Sequence, residues 1–108
     1  MTSTKLKLLA LTALLFTLSA CGPSDRAVSI ADMTGEATSG AALYTMHCAS
    51  CHGASARGGS GPNLISELGE EDDADLIDVV LEGDGDMPSF SNLEDQEIAD
   101  IMAHLHSL

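Results

Sequence analysis

An all-α fold is predicted by three observations. Apolar residues recur at helical spacing in three separate stretches, no stretch alternates polar and apolar residues as a half-buried strand would, and clusters of glycine, proline and acids separate the stretches. The 108 residues allow one small domain. With two Phe, one Tyr and no Trp the chain has little large apolar area, so something other than side chains is expected to fill the interior. Its 17 Asp and Glu against 4 Lys and Arg, a net charge of -13, exclude nucleic acid as a partner, because phosphate neutralisation needs clustered cations.

Residues 1–20 read as a leader rather than as structure. Lys5 and Lys7 form a positive start, and Leu8 to Leu18 is an almost unbroken apolar run of signal-peptide length, too short for an ordinary membrane span. The following Leu18-Ser19-Ala20-Cys21 resembles the bacterial lipoprotein signal, which implies cleavage before Cys21 and acylation of that residue. An ordinary secretory peptide or an uncleaved anchor is the alternative. Gly22 rather than Asp after the Cys points, by the same resemblance, to the inner leaflet of the outer membrane in a host with two membranes. Cleavage would remove both lysines and leave Arg26 and Arg57 against all 17 acids.

Residues 21–38 carry Gly, Pro, Ser, Asp and Thr without a sustained apolar period and are expected to be a flexible tether between lipid and domain. The domain is expected to occupy 39–108. Its first helix should begin near Thr38 or Ser39, either of which could cap it, and run through Leu43, Tyr44 and His47 toward Cys48. Residues 53–63 are a glycine-rich loop. A second helix is predicted over Asp73 to Glu82, with Leu76, Ile77, Val79, Val80 and Leu81 among acids, an acidic first turn that suits the helix dipole, and Gly83 as the stop. The third should span Glu94 to Ser107, where Leu93, Ile98, Ile101, Met102 and Leu105 fall on one stripe.

Cys48-Ala-Ser-Cys51-His52 is C-x-x-C-H, the attachment sequence for c-type haem. Two thiols about one helical turn apart can add to the two vinyl groups on one porphyrin edge, and the adjacent imidazole reaches the iron from the same face. A thioredoxin-like pair would require a βαβ setting, which the pattern lacks. A structural zinc would need a fourth ligand, for which only His47 or distant histidines remain; a disulfide is the third alternative. The sixth iron ligand has candidates in Met33, Met46, Met87 and Met102. Met87 lies in a loop whose glycines allow tight backbone paths and whose Pro88 stiffens the segment after the thioether. Met102 sits on the apolar stripe, Met46 is too near the attachment site to cross to the opposite face, and Met33 falls in the tether.

From about Gly35 to Leu108 the chain resembles a small class I cytochrome c. The resemblance rests on Gly40-x-x-x-Tyr44 before the Cys-x-x-Cys-His, Gly61-Pro62-Asn63-Leu64 after it, Met87-Pro88-x-Phe90, and Leu-x-Asp-x-Glu-Ile-Ala at 93–99, in that order. It implies about three helices wrapped around one haem held by Cys48 and Cys51, with His52 and Met87 as iron ligands. The Pro62 carbonyl would accept from His52 Nδ1 and fix the imidazole. It also implies a close crossing of Gly40 with the third helix, where the family usually has an aromatic and this chain has His104. His104 and His106 read as partly solvated helix-end residues, with iron ligation as the sharper alternative. Arg57 either approaches a haem propionate or is a surface residue.

With both axial positions filled by protein, no catalytic residue and no small-molecule substrate are expected. The function expected is a membrane-tethered one-electron carrier between redox proteins of the cell envelope, on the periplasmic face. A haem subunit serving a dedicated dehydrogenase or oxidase, a weak peroxidase and a gas sensor are the rivals. Glu67, Glu70, Glu71, Asp72, Asp73, Asp75 and Asp78 form either a solvated face or a docking surface for a basic partner.

Overall fold

The computed structural model describes residues 22–108. Cys21 and the leader lie outside the described residues. Six helices follow in order: α1 (Asp25–Ala31), α2 (Ala37–His47), α3 (Ala49–His52), α4 (Leu64–Glu70), α5 (Asp73–Glu82) and α6 (Asp95–His106). Among the described residues the only extended pairing is an isolated antiparallel bridge between Asp84 and Met87, so the fold is all-α as predicted. No described helix is long and apolar enough to cross a membrane.

The strongest periodic stretches became the principal helices. α5 occupies Asp73–Glu82 and ends on Gly83, whose φ of 82° a side-chain-bearing residue adopts only with strain. α6 begins with a reciprocal capping box, the Glu94 side chain accepting from the third helical N–H while Glu97 Oε1 accepts from Glu94 N at 2.9 Å. Its stripe of Ile98, Ile101, Met102 and Leu105 is buried together with Leu93. Each such aliphatic side chain contributes about 1.5–3 kcal/mol.

α2 starts at Ala37, after Glu36, rather than at Thr38 or Ser39. The reason is tertiary: Glu36 N donates to Asp100 Oδ1 of α6 at 2.8 Å, so the entry to α2 is fixed by a neighbour instead of by a capping hydroxyl. The two helices touch backbone to backbone. A Cβ at Gly40 would lie 1.8 Å from Asp100 O, and one at Gly35 would lie 2.0 Å from Ala99 O, so only glycine permits the contact.

Two expectations are corrected. The segment read as a flexible tether contains α1, capped by Ser24 and packed on α5 and α6 with Ala27 and Ile30 fully buried. At seven residues α1 is shorter than the window over which a helical period shows, and long-range partners stabilise it. The expected three helices are also too few. α3 is a single turn of four residues and α4 has seven, about two turns, capped by Asn63, whose side chain accepts from Ile65 N and Ser66 N. Upstream, Ala56 adopts a left-handed φ of 62° and is buried, and its carbonyl accepts from Leu64 N at 2.8 Å, which pins the glycine-rich loop to the start of α4.

Candidate functional site

The helices do not close on one another. They surround a cavity of about 610 Å³ whose walls are mostly apolar: Leu64 and Leu68 from α4, Leu76, Val79 and Val80 from α5, and the α6 stripe from Ile98 to Leu105. Its size lies within the ~300–1,000 Å³ typical of cofactor sites. This is the space that the shortage of aromatic side chains leaves to another group.

Cys48, Cys51, His52, Pro62 and Met87 all line this one cavity. α2 and α3 set the first three in place. Cys48 N donates to Tyr44 O at 2.8 Å and His52 N to Cys48 O at 3.0 Å, so the two thiols and the imidazole are carried on one tightened helical turn. His52 is 7% exposed. Its Nδ1 lies 2.9 Å from Pro62 O, and because a carbonyl only accepts, Nδ1 carries the proton and Nε2 keeps its lone pair for a metal. Gly61 makes room for the ring, since a Cβ there would fall 2.9 Å from His52 Cε1.

Both thiols are free, Cys48 half-buried and Cys51 exposed. Burial first, then the neighbouring Cys51, pushes the Cys48 thiol up to about 11. A redox-active or zinc-binding cysteine is tuned the other way, toward thiolate. No group of three or more His, Cys, Asp or Glu able to hold a metal is found among the described residues, so the pair also lacks a zinc donor set. Two unpaired thiols on the wall of an apolar cavity, an imidazole with a free Nε2 and a thioether-bearing loop fit a covalently attached haem.

Met87 sits in an arm, residues 83–94, between α5 and α6. Asp84 N donates to Met87 O at 3.1 Å and Met87 N to Asp84 O at 2.9 Å, a tight turn that the positive φ of Gly83 and Gly85 allows. Downstream, Phe90 N donates to Val80 O at 2.8 Å and the Ser89 hydroxyl to Leu81 O at 2.5 Å, clipping the arm to α5. The other methionines differ. Met46 is 72% exposed, Met33 packs against the core at a separate small cavity of about 110 Å³, and Met102, 6% exposed, lies on the α6 stripe between the two cavities.

His104 packs on Tyr44, ring centroids 5.4 Å apart, and so supplies the flat group at the α2–α6 crossing where an aromatic was expected. His106 Nε2 lies 2.9 Å from both carboxylate oxygens of Asp73 on α5. Neither lines the haem cavity. Burial and then the charge of Cys48 raise the Tyr44 phenol, which donates to Gly53 O at 2.6 Å and holds the chain just past His52. Arg57 is exposed and is not part of the cavity wall. Of the acids read as one face, Glu67 reaches the cavity rim, Asp73 pairs with His106 and Asp78 accepts from Ser24 N at 3.0 Å; Asp84 and Asp86 join Glu67 at the rim.

Sequence reasoning missed Arg26 and Asp100. Arg26 donates to two backbone carbonyls at the far end of the Met87 arm and to Asp95 at the start of α6, and buried Asp100 accepts from Glu36 N and Gln96 Nε2. The partners of Arg26 lie 65 to 69 positions away, so no local signal could have found them.

Residues 35–105 match the family model described as cytochrome c oxidase, cbb3-type, subunit III. The chain is 34% identical over 86 residues to cytochrome c-551 of Bacillus subtilis (strain 168), covering 76% of each protein. It is 34% identical over 77 residues to a cytochrome c-553-like protein of Synechocystis sp., covering 70% of this chain and 72% of that one. A third similarity, 42% over 76 residues, is to dihydro-heme d1 dehydrogenase of Pseudomonas aeruginosa, of which it spans 15%. No solved structure gives a significant match.

Proposed function

The chain belongs to the class I cytochrome c family, and on that premise we propose that it is a lipid-anchored one-electron carrier shuttling between redox proteins of the bacterial envelope. It is a c-type cytochrome with one haem c attached through Cys48 and Cys51, works in electron transfer with redox protein partners, and is of an exported type. When bound, the haem supplies an iron centre that changes by a single electron. The chain's own residues determine what that centre can do. His52, its Nδ1 proton held by Pro62 O, would offer Nε2 to the iron in a fixed orientation. Met87, presented by the clipped arm on the wall of the same cavity, would supply the second iron ligand. With both ligands supplied by these residues the haem would serve electron transfer rather than bind a substrate, and a thioether paired with an imidazole would favour a high potential.

The observation that carries this reading is the convergence of Cys48, Cys51, His52 and Met87 on one apolar cavity. The test is optical. The oxidised protein should show the charge-transfer band near the red end of the spectrum that marks thioether–iron ligation, and Met87→Ala should abolish it while Met102→Ala keeps it. A band that survives Met87→Ala would remove Met87 from the site.

The lipid anchor is read from Cys21 and its preceding box. Mass spectrometry of the membrane-extracted protein should find acyl chains on an N-terminal Cys21. The rim acids Glu67, Asp84 and Asp86, with no lysine after Lys7 to offset them, support a basic docking partner. A second reading, service to one larger oxidoreductase, is favoured by the match to a segment of a dehydrogenase. Crosslinking in native membranes through carboxylates separates the two: one dominant adduct supports the dedicated role, several support a shuttle.

A further inference from the structure

Two cations occur among the described residues, and they are used differently. Arg57 is exposed on the glycine-rich loop. Arg26, on α1, directs its planar fork at one short stretch: Nε donates to Asp95 Oδ1 at 2.8 Å, Nη1 to Ser91 O at 3.0 Å and Nη2 to Leu93 O at 2.9 Å. Two residues earlier Ser24 N donates to Asp78 Oδ1 of α5 at 3.0 Å. Residues 24–26 therefore tie α5 to the entry of α6, and between those two ties lies the arm that carries Met87.

The arm has its own clips: the Ser89 hydroxyl and Phe90 N bind it to Leu81 O and Val80 O of α5, the Phe90 ring packs edge-on against His47 of α2 with centroids 5.8 Å apart, and the Asp84–Met87 turn is internal to it. Among the described residues the Arg26 fork supplies the side-chain hydrogen bonds from another helix to the far end, two of them to backbone carbonyls, which fix the path of the chain rather than one side chain. Leu93, whose carbonyl it grips, also lines the cavity. The Arg26–Asp95 pair is half exposed and weak alone; the geometry of the fork gives the contact its specificity. Leu93 N in turn donates to Phe90 O at 3.0 Å, so the stretch gripped by the fork is continuous with the segment that follows Met87.

We propose that Arg26 is a positioning residue that keeps the Met87 arm closed over the cavity, with α1 as the strap. The proposal rests on Met87 being the sixth ligand. It gives the segment first read as a passive tether a role in ligand exchange at the iron.

The test uses the full-length, oxidised holoprotein and free imidazole, which competes for the sixth position and removes the charge-transfer band. Arg26→Gln should bind imidazole about tenfold more tightly, equivalent to ~1.4 kcal/mol. Arg57→Gln, the same charge change at an exposed site, should match the parent. Arg26→Lys, which keeps the charge but not the fork, should fall between them and decides the matter if Arg26→Gln does not fold. A merely structural Arg26 would lower the thermal midpoint while leaving imidazole affinity unchanged well below it, and that result overturns the proposal. If Met87→Ala keeps the band, the ligand reading fails and the proposal falls with it. Loss of the band in Met87→Ala together with parental imidazole affinity in the Arg26 variants removes the proposal alone.

Discussion

A Cβ at Gly61 would stand 2.9 Å from His52 Cε1 and 3.0 Å from Nδ1, against a ring that Pro62 O already holds through Nδ1. Gly61→Ala should therefore rotate the imidazole, shift the reduction potential and destabilise the protein by about 1–3 kcal/mol, measured by potentiometric titration and denaturant unfolding. Met102 offers the complementary case. It is buried and borders both cavities, so Met102→Ala should cost about 2–5 kcal/mol of stability through the void it leaves, with the charge-transfer band intact. At this scale the site was largely legible. The C-x-x-C-H spacing dictates the attachment residues, and Met87 stood out because glycine and proline flank it. The contact between His52 and Pro62 came from the family pattern alone, since nothing in the chemistry of Gly61-Pro62 announces where its carbonyl will point.

The contact between α2 and α6 depends on the absence of a side chain. Gly40→Ala places a methyl 1.8 Å from Asp100 O, backbone against backbone, and neither helix can yield without disturbing the Tyr44–His104 packing. The expected loss is about 3 kcal/mol or more, read as a fall in the chemical denaturation midpoint. α1 is held in part by a titratable contact. Hydrogen bonds from Ser24 lower the Asp78 carboxyl below its ordinary value, so the docked helix gains stability that is present above the unfolded pKa of about 3.9 and is lost as pH falls through the lower folded value. Amide exchange in α1 should accelerate below about pH 4 before the rest of the protein responds, and Asp78→Asn should flatten that dependence. α5 and α6 were legible because ten and twelve residues hold nearly three turns of apolar period. α1, α3 and α4, at seven, four and seven residues, were not. Their order comes from neighbours far along the chain, which no local window contains.

For the molecule as a whole, a cavity of about 610 Å³ in a domain this small means that the walls have few partners other than the haem. Protein made without haem attachment, or carrying Cys48→Ser and Cys51→Ser, should show no cooperative thermal transition by circular dichroism. The surface leads to a kinetic expectation: transfer to a basic redox partner should slow as salt rises, as the Debye length shrinks to about 8 Å at physiological ionic strength, and a flat stopped-flow salt profile would exclude electrostatic docking. The tie between Ser24 and Asp78 has a geometric consequence for the lipid proposed at Cys21. Only Gly22 and Pro23 separate that residue from a backbone fixed on α5, so the leash spans about 10 Å at full extension. A carrier so closely moored would not sweep a volume of periplasm. It would meet its partners by lateral diffusion in the plane of the bilayer, with one flank always turned toward the lipid.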